Sequence, residues 1–373
     1  MFIRSLSCLA SVFVAALGVC SAGAQDHARQ VWEMQESGTA AGLRGIDSVD
    51  GKVAWASGSE GTVLKTIDGG AHWQRCAVPD AAADGATLDF RGVQAWDAET
   101  AIVMASGPGE KSRLYKTTDG GKSWALILKN PDAPDGFFDS FWMKPNPNWH
   151  DGIVLGDPVR GRFVIIETAD GGSSWRLDTR HGLRIKAKPI AAFAASNSLI
   201  PQFPMGFMRG FVTGGPGGPF LFYRWDEKDW KRSAIPVSGG RESSGAFSLG
   251  YCFTRPRCAD CEHPSEQYMV VVGGDYTQSN EGSATAAWST DVGEHWTAST
   301  KPPHGYRSAV QWSEALKAWI TAGTNGSDIS RDDGRTWEPL DDGNWNALSL
   351  PFVVGPRGRI ARLNADAVPP AHK

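Results

Sequence analysis

VLKTIDGGAHW, residues 63 to 73, sets an aspartate and two glycines on a turn, with a tryptophan three residues on, and its reading decides the fold. The pattern returns as TTDGGKSW at 117 to 124, TADGGSSW at 168 to 175, STDVGEHW at 289 to 296 and SRDDGRTW at 330 to 337. A worn copy, YRWDEKDW at 223 to 230, is one residue short and lacks the glycine. The aspartates at 68, 119, 170, 226, 291 and 332 are spaced by 51, 51, 56, 65 and 41 residues. A repeat of that period marks one supersecondary unit per step.

Each unit reads alike: a first strand, a second ending in glycine, a third running into the turn and a fourth leaving the tryptophan. In the first unit these are LRGIDS, VAWASG, TVLKT and HWQRC; in the second they are FRGVQA, AIVMASG, RLYKT and SWALIL. Forty-four glycines and 16 tryptophans, with few helix-period runs, agree with many short strands and tight turns. Four-stranded units in series predict an all-β protein, a β-propeller. After the last turn, WNALSL, PFVVG and RIARLN supply three strands, and QVWEMQES at 30 to 37 offers the fourth. Such a blade, completed by the N-terminal strand, closes a ring of seven and removes its open edges. The expected organisation is one seven-bladed domain over residues 25–373.

Residues 1–24 read as a secretory signal: Arg4 gives the positive start, Ser5 to Val19 the apolar run, and Ala22-Gly23-Ala24 the cleavage site. The run is too short for a membrane span. A lipoprotein anchor at Cys20 is the weaker alternative, because the branched Val19 precedes it. A periplasmic or secreted protein is expected. Cleavage leaves 36 basic and 41 acidic side chains, a net charge near −5 that offers no footprint for nucleic acid.

The repeated S/T-x-D-x-G-x-x-W resembles the Asp-box, or BNR repeat, of sialidases and other propellers. Blade order and length, with FFDSFW, GDPVRGRFVIIETADGGSSW, VVGGDY, GYRSAV and GPRGRIARL, resemble the photosystem II stability/assembly factor family and its non-photosynthetic bacterial relatives. The resemblance covers nearly all of the mature chain and implies a non-catalytic exported propeller that binds a protein or an anionic ligand through its channel mouth.

The turn explains its own composition without a ligand. Asp68, Asp119, Asp170, Asp291 and Asp332 can each accept backbone N–H groups across the turn, while Gly69 and Gly70 take left-handed geometry. Trp73, Trp124, Trp175, Trp296 and Trp337 open the fourth strands and can fill the space between blades. A calcium loop would need more oxygen ligands at alternating positions, which TIDGG lacks.

A site is expected where the blades converge, at the mouth of the central channel. Aligning the first strands as LRGIDS, FRGVQA, FDSFWM, FAASNS, FSLGYC, YRSAVQ and WNALSL puts Arg44, Arg91, Asp139, Ala194, Ser248, Arg307 and Asn346 at one ring position. Three arginines brought together need an anion or carboxylate to neutralise them. The second strands end near Glu60, Asp157 and Asp275, the last followed by Tyr276. Two readings follow: an internal Arg–Asp network, or a pocket for an anionic small molecule, a glycan or a protein partner. No catalytic residue, cofactor or metal site is assigned, and a monomer is expected. The glycine clusters GGPGG and GSEG lack a following helix to hold a pyrophosphate.

Sialidases also use three arginines on a carboxylate, but their tyrosine–glutamate nucleophile and F/Y-R-I-P segment have no clear counterpart here. A carbohydrate-active enzyme on acidic glycans, drawing on Asp139 and Asp157, stands as the competing reading. Cys252, Cys258 and Cys261 cluster in CFTRPRCADCEH, where export favours a disulfide from Cys252 over a zinc site with His263.

Overall fold

A computed structural model describes residues 30–144, 150–179, 183–185, 189–201, 208–225, 229–254 and 266–370. The leader at 1–24, Asp226 of the worn turn, Cys258 and Cys261 lie outside these. The described strands form seven antiparallel sheets arranged as a propeller. Six have four strands, and the fourth blade has three, Met208–Val212, Phe220–Trp225 and Lys231–Ala234. Among the described residues no helix is long and apolar enough to cross a membrane.

The ring closes as the repeat predicts. Trp32–Gln35 pairs antiparallel with Ile360–Leu363 and completes the sheet of Ala347–Ser349 and Phe352–Val354. Trp32 is 4% exposed, and its indole N–H donates to Ser327 Oγ of the neighbouring blade at 2.9 Å. Chain ends that would leave two sheet edges open are thereby paired with each other.

The five intact turns share one hydrogen-bond pattern. In the first, Thr66 Oγ1 donates to Asp68 Oδ1 at 2.8 Å, His72 N donates to the same oxygen at 3.0 Å, and Gly70 N donates to Thr66 Oγ1 at 2.9 Å. Ser330, Asp332 and Thr336 repeat it, with Thr336 donating through both N and Oγ1. Gly69 and Gly70 sit at φ +75° and +88°, which a side chain would strain. These donors hold Asp68, Asp119 and Asp170 down at about 2. A carboxylate in an unfolded chain titrates near 3.9.

The tryptophans that follow the turns tie each blade to the one before. Trp73 meets Phe352 of the closing blade edge-on, with ring centroids 5.7 Å apart, and donates to Gln35 Oε1 of the closing strand at 3.0 Å. Trp124 meets Trp55 at 6.2 Å, and Trp337 is fully buried beside Val270 and Trp319. Innermost strands add polar clasps between blades. Ala95 N donates to Asp47 Oδ2 at 2.7 Å, the Gln94 amide bonds both N and O of Met143, and Leu350 N donates to Gln311 Oε1. Burial pushes the Asp47 carboxyl up to about 6.

Truncating Trp337 to alanine removes a large buried ring, and an expected cost of about 3–5 kcal/mol should register in urea unfolding. For Asp47 the folded value lies above the unfolded one, so its contribution to stability is complete below about pH 4 and is lost as pH rises through 6. Asp47→Asn should therefore raise the melting temperature at pH 8 and leave it little changed at pH 4, as calorimetry at the two pH values would register. The turn aspartates have the opposite sign: their contribution is present above about pH 4 and is lost as pH falls toward 2.

Candidate functional site

In blades 1, 2, 3 and 5 the innermost strand carries one extra residue. The register shifts between Leu43 and Gly45, Phe90 and Gly92, Phe138 and Ser140, and Ala246 and Ser248. A bulge of this kind leaves its residue out of the ladder and re-aims the side chain. The residues concerned are Arg44, Arg91, Asp139 and Phe247, and all four line one cavity of about 520 Å³. Ser308 and Asn346 hold the same place in blades 6 and 7, one residue ahead of the Ala309–Ala322 and Ala347–Val354 pairs, and line it too.

Blade 4 fills the ring centre differently. Its segment at 193–198 bonds to four other blades: Arg91 Nη1 donates to Ala194 O at 3.3 Å, Phe141 N to Asn197 Oδ1 at 2.8 Å, Ser196 Oγ to Ser308 O at 2.6 Å and Leu249 N to Ser198 O at 2.9 Å. Asn197 takes a left-handed φ of +59°, which asparagine tolerates better than most residues. The segment lies between the cavity and a second one of about 280 Å³, lined by Asp47, Gln94, Trp142, Gln311 and Trp312 further along the same strands.

Six of the eight expected site residues share the larger cavity: Arg44, Arg91, Asp139, Asp157, Tyr276 and Asn346. Arg307 does not. Its backbone N donates to Gly273 O, as Leu43 N does to Gly355 O and Trp345 N to Gly323 O, so it holds the position before the bulge. A one-residue slip turns a strand side chain to the other face. Arg307 is fully buried against Asp328, with Nε to Oδ2 at 2.6 Å and a further bond to Asn325. Aligning on Tyr306 as the leading apolar residue sets blade 6 one place early, and a slip of one in the other direction in blade 5 names Ser248 in place of Phe247. Asp275 is the other correction: it accepts from Thr277 N and Oγ1 at 3.0 and 2.6 Å and meets Arg241, capping the short helical turn that begins at Tyr276, and it is not among the residues that line the cavity.

The arginines that do reach the cavity differ in their partners. Arg91 Nε donates to Asp89 Oδ2 at 2.8 Å, and its guanidinium lies over Phe137, 5.9 Å from the ring centroid. Asp89, which lies before the aligned strand and carries no sequence signal, is thus the neutralising partner in place of Glu60 or Asp157. Arg44 Nε is buried with no hydrogen-bond partner among the described residues. Burial and then the charge of Arg91 weaken its hold on its proton relative to a free guanidinium.

Two carboxyls from blade 3, the blade after that of Arg91, line the same cavity. Asp139 is 1% exposed and its Oδ2 has no partner among the described residues. Burial, and then the neighbouring Asp157, push it well above the usual carboxylate range. Asp157 accepts from Ala192 N at 3.0 Å, yet burial still raises it to about 6. An aromatic wall completes the cavity: Phe193 stacks on Phe247 at 4.0 Å, and Tyr306 meets Phe247 edge-on at 4.8 Å. Tyr276 extends that wall outward and is 51% exposed. Phe137, Phe193, Phe247 and Tyr306 give no signal in a search for charged residues; only the bulge register finds Phe247.

Cys252 is a buried thiol packed with Val270, Val272 and Trp319. Among the described residues no group of histidine, cysteine and acidic side chains is placed to hold a metal ion.

Residues 24–138 match the family model described as Photosynthesis system II assembly factor YCF48. The Photosystem II assembly lipoprotein Ycf48 of Synechococcus sp. strain CC9902 is 22% identical over 352 residues, which cover 90% of this chain and 89% of that one. A second Synechococcus relative, the Photosystem II assembly protein Ycf48 of strain JA-2-3B'a(2-13), is 23% identical over 66% of this chain and 72% of its own. A solved structure of YCF48 bound to D1 peptide superposes with a TM-score of 0.60 at 18% identity, covering 91% of this chain and 98% of that one. YCF48 from Cyanidioschyzon merolae gives 0.58 at 18% identity, with 90% and 99% covered. The chain is thus similar to photosystem II assembly factors of the BNR-repeat type, by the family model over residues 24–138 and by the curated relatives, and it shares the propeller fold of the solved YCF48 structures.

Proposed function

We propose that the protein is an exported, non-catalytic propeller that binds a protein partner through an oxyanion of that partner at the Arg44–Arg91 mouth. The observation that carries this reading is the Arg44 guanidinium, whose Nε is buried without a partner among the described residues, in an open cavity beside a second arginine. A buried cationic donor left unpaired costs free energy that a bidentate carboxylate or phosphate offsets. The half-exposed Tyr276 and the ring of Phe247 give the same mouth an apolar surface suited to a peptide side chain. A relative solved with a D1 peptide supports a peptide as the partner's chemistry. The leader read at residues 1–24 and a relative named as a lipoprotein support export.

The carboxyl pair at Asp139 and Asp157 is the observation on the side of an acidic-glycan hydrolase. That reading is the less favoured, because the relatives are assembly factors and no tyrosine–glutamate nucleophile pair accompanies the carboxyls among the described lining residues.

The test is retention of partners from an extract of exported proteins on the immobilised protein. Wild-type protein should hold a defined partner that sulfate or a short acidic peptide displaces. An Arg44→Ala, Arg91→Ala double variant with an unchanged melting temperature should hold it at least about tenfold more weakly, since each charge-assisted bond contributes about 1.5–3 kcal/mol. Equal retention by the variant would overturn the proposal. Turnover of aryl glycosides or acidic glycans, abolished in Asp157→Asn, would decide for the enzyme.

A further inference from the structure

The mouth holds two acids beside two arginines, an arrangement that simple attraction of an anion does not require. Asp139 and Asp157 reach the cavity from adjacent strands of blade 3, Phe138–Met143 and Gly152–Val159. Neither forms an ion pair with Arg44 or Arg91 among the described residues; Arg91 is taken by Asp89, and Arg44 Nε and Asp139 Oδ2 are both left without partners there. A buried acid and a buried cation, each with an unmatched atom, thus line one cavity of about 520 Å³.

We propose that Asp139 and Asp157, as neutral carboxylic acids, donate hydrogen bonds to an oxyanion held by Arg44, so that anion binding at this mouth is coupled to proton uptake. The inference rests on the anion-binding reading above. An ionised carboxylate only accepts hydrogen bonds and would repel the ligand, whereas its protonated form carries an O–H donor. A bound anion stabilises that protonated form further, because a like charge nearby disfavours ionisation. Burial already favours it, and Asp157, raised to about 6, changes charge within a measurable range. The charged and titratable groups that line the cavity with the pair are Arg44 from blade 1, Arg91 from blade 2 with its partner Asp89, Tyr276 from blade 5 and Tyr306 from blade 6, and of these Arg91 acts on Asp139. No histidine is among the described residues that line the cavity, so no imidazole contributes between about pH 5.5 and 7.5.

Sulfate is a suitable probe, because its own charge is constant over that range. Titrated calorimetrically at fixed ionic strength, it should bind wild-type protein on the order of tenfold more tightly at about pH 5.5 than at about 7.5, as uptake of up to one proton allows. Buffers of different ionisation enthalpy should report that uptake directly. Asp157→Asn keeps shape and an N–H donor, so it should bind at both pH values with the dependence flattened. A purely structural role for Asp157 would leave the slope intact, and that outcome, or a flat wild-type profile, overturns the proposal. Failure of wild-type protein to bind sulfate at either pH would instead remove the anion-binding reading on which it stands.

Discussion

The backbone pairing of Trp32–Gln35 with Ile360–Leu363 is the constraint on which the rest depends. An open arc of blades would expose a strand edge at each end and leave the faces of its terminal blades uncovered, whereas a closed ring satisfies both at once. Closure also fixes the distance of every innermost strand from the axis. Side chains from blades 1, 2, 3, 5, 6 and 7 can then meet in one cavity, although they run from Arg44 to Asn346 along the chain.

Within that frame, two local devices divide the work. The turn aspartates and the tryptophans after them fasten blade to blade at the outside of the ring, where Asp68 and Trp73 satisfy their polar atoms locally or against the neighbouring blade. The bulges act at the inside, where an unpaired residue can be aimed at the axis without breaking the ladder on either side. Stability and recognition thus draw on different residues of the same repeat, and the repeated motif itself carries no ligand chemistry.

The segment at 193–198 explains why the axis holds two cavities in place of one continuous channel. It replaces a regular innermost strand in blade 4 and commits its polar groups to four neighbours. On one side it backs the Arg44–Arg91 mouth, and it fixes the Ala194 carbonyl that steadies Arg91. The opposite cavity is lined by the clasps that join blades, so its polar groups are mostly committed to one another.

Sequence alone determined the class, the number of blades, the closing strand and the role of the turn, because each follows from a repeat whose copies can be counted. It also grouped Arg44, Arg91, Asp139, Asp157, Tyr276 and Asn346, which line one cavity, since equivalent positions in a repeat share a radius and a height. Tertiary structure decided the rest. Nothing in composition marks which residue of an innermost strand turns to the axis, so an alignment on leading apolar residues sets blades 5 and 6 one place off and puts Arg307 in the cavity, when it is buried against Asp328. The plug at 193–198, the aromatic wall and the pairing of Arg91 with Asp89 arise from contacts between elements that the chain brings together only on folding. No spacing within one blade encodes them, because such contacts exist only once the ring has closed.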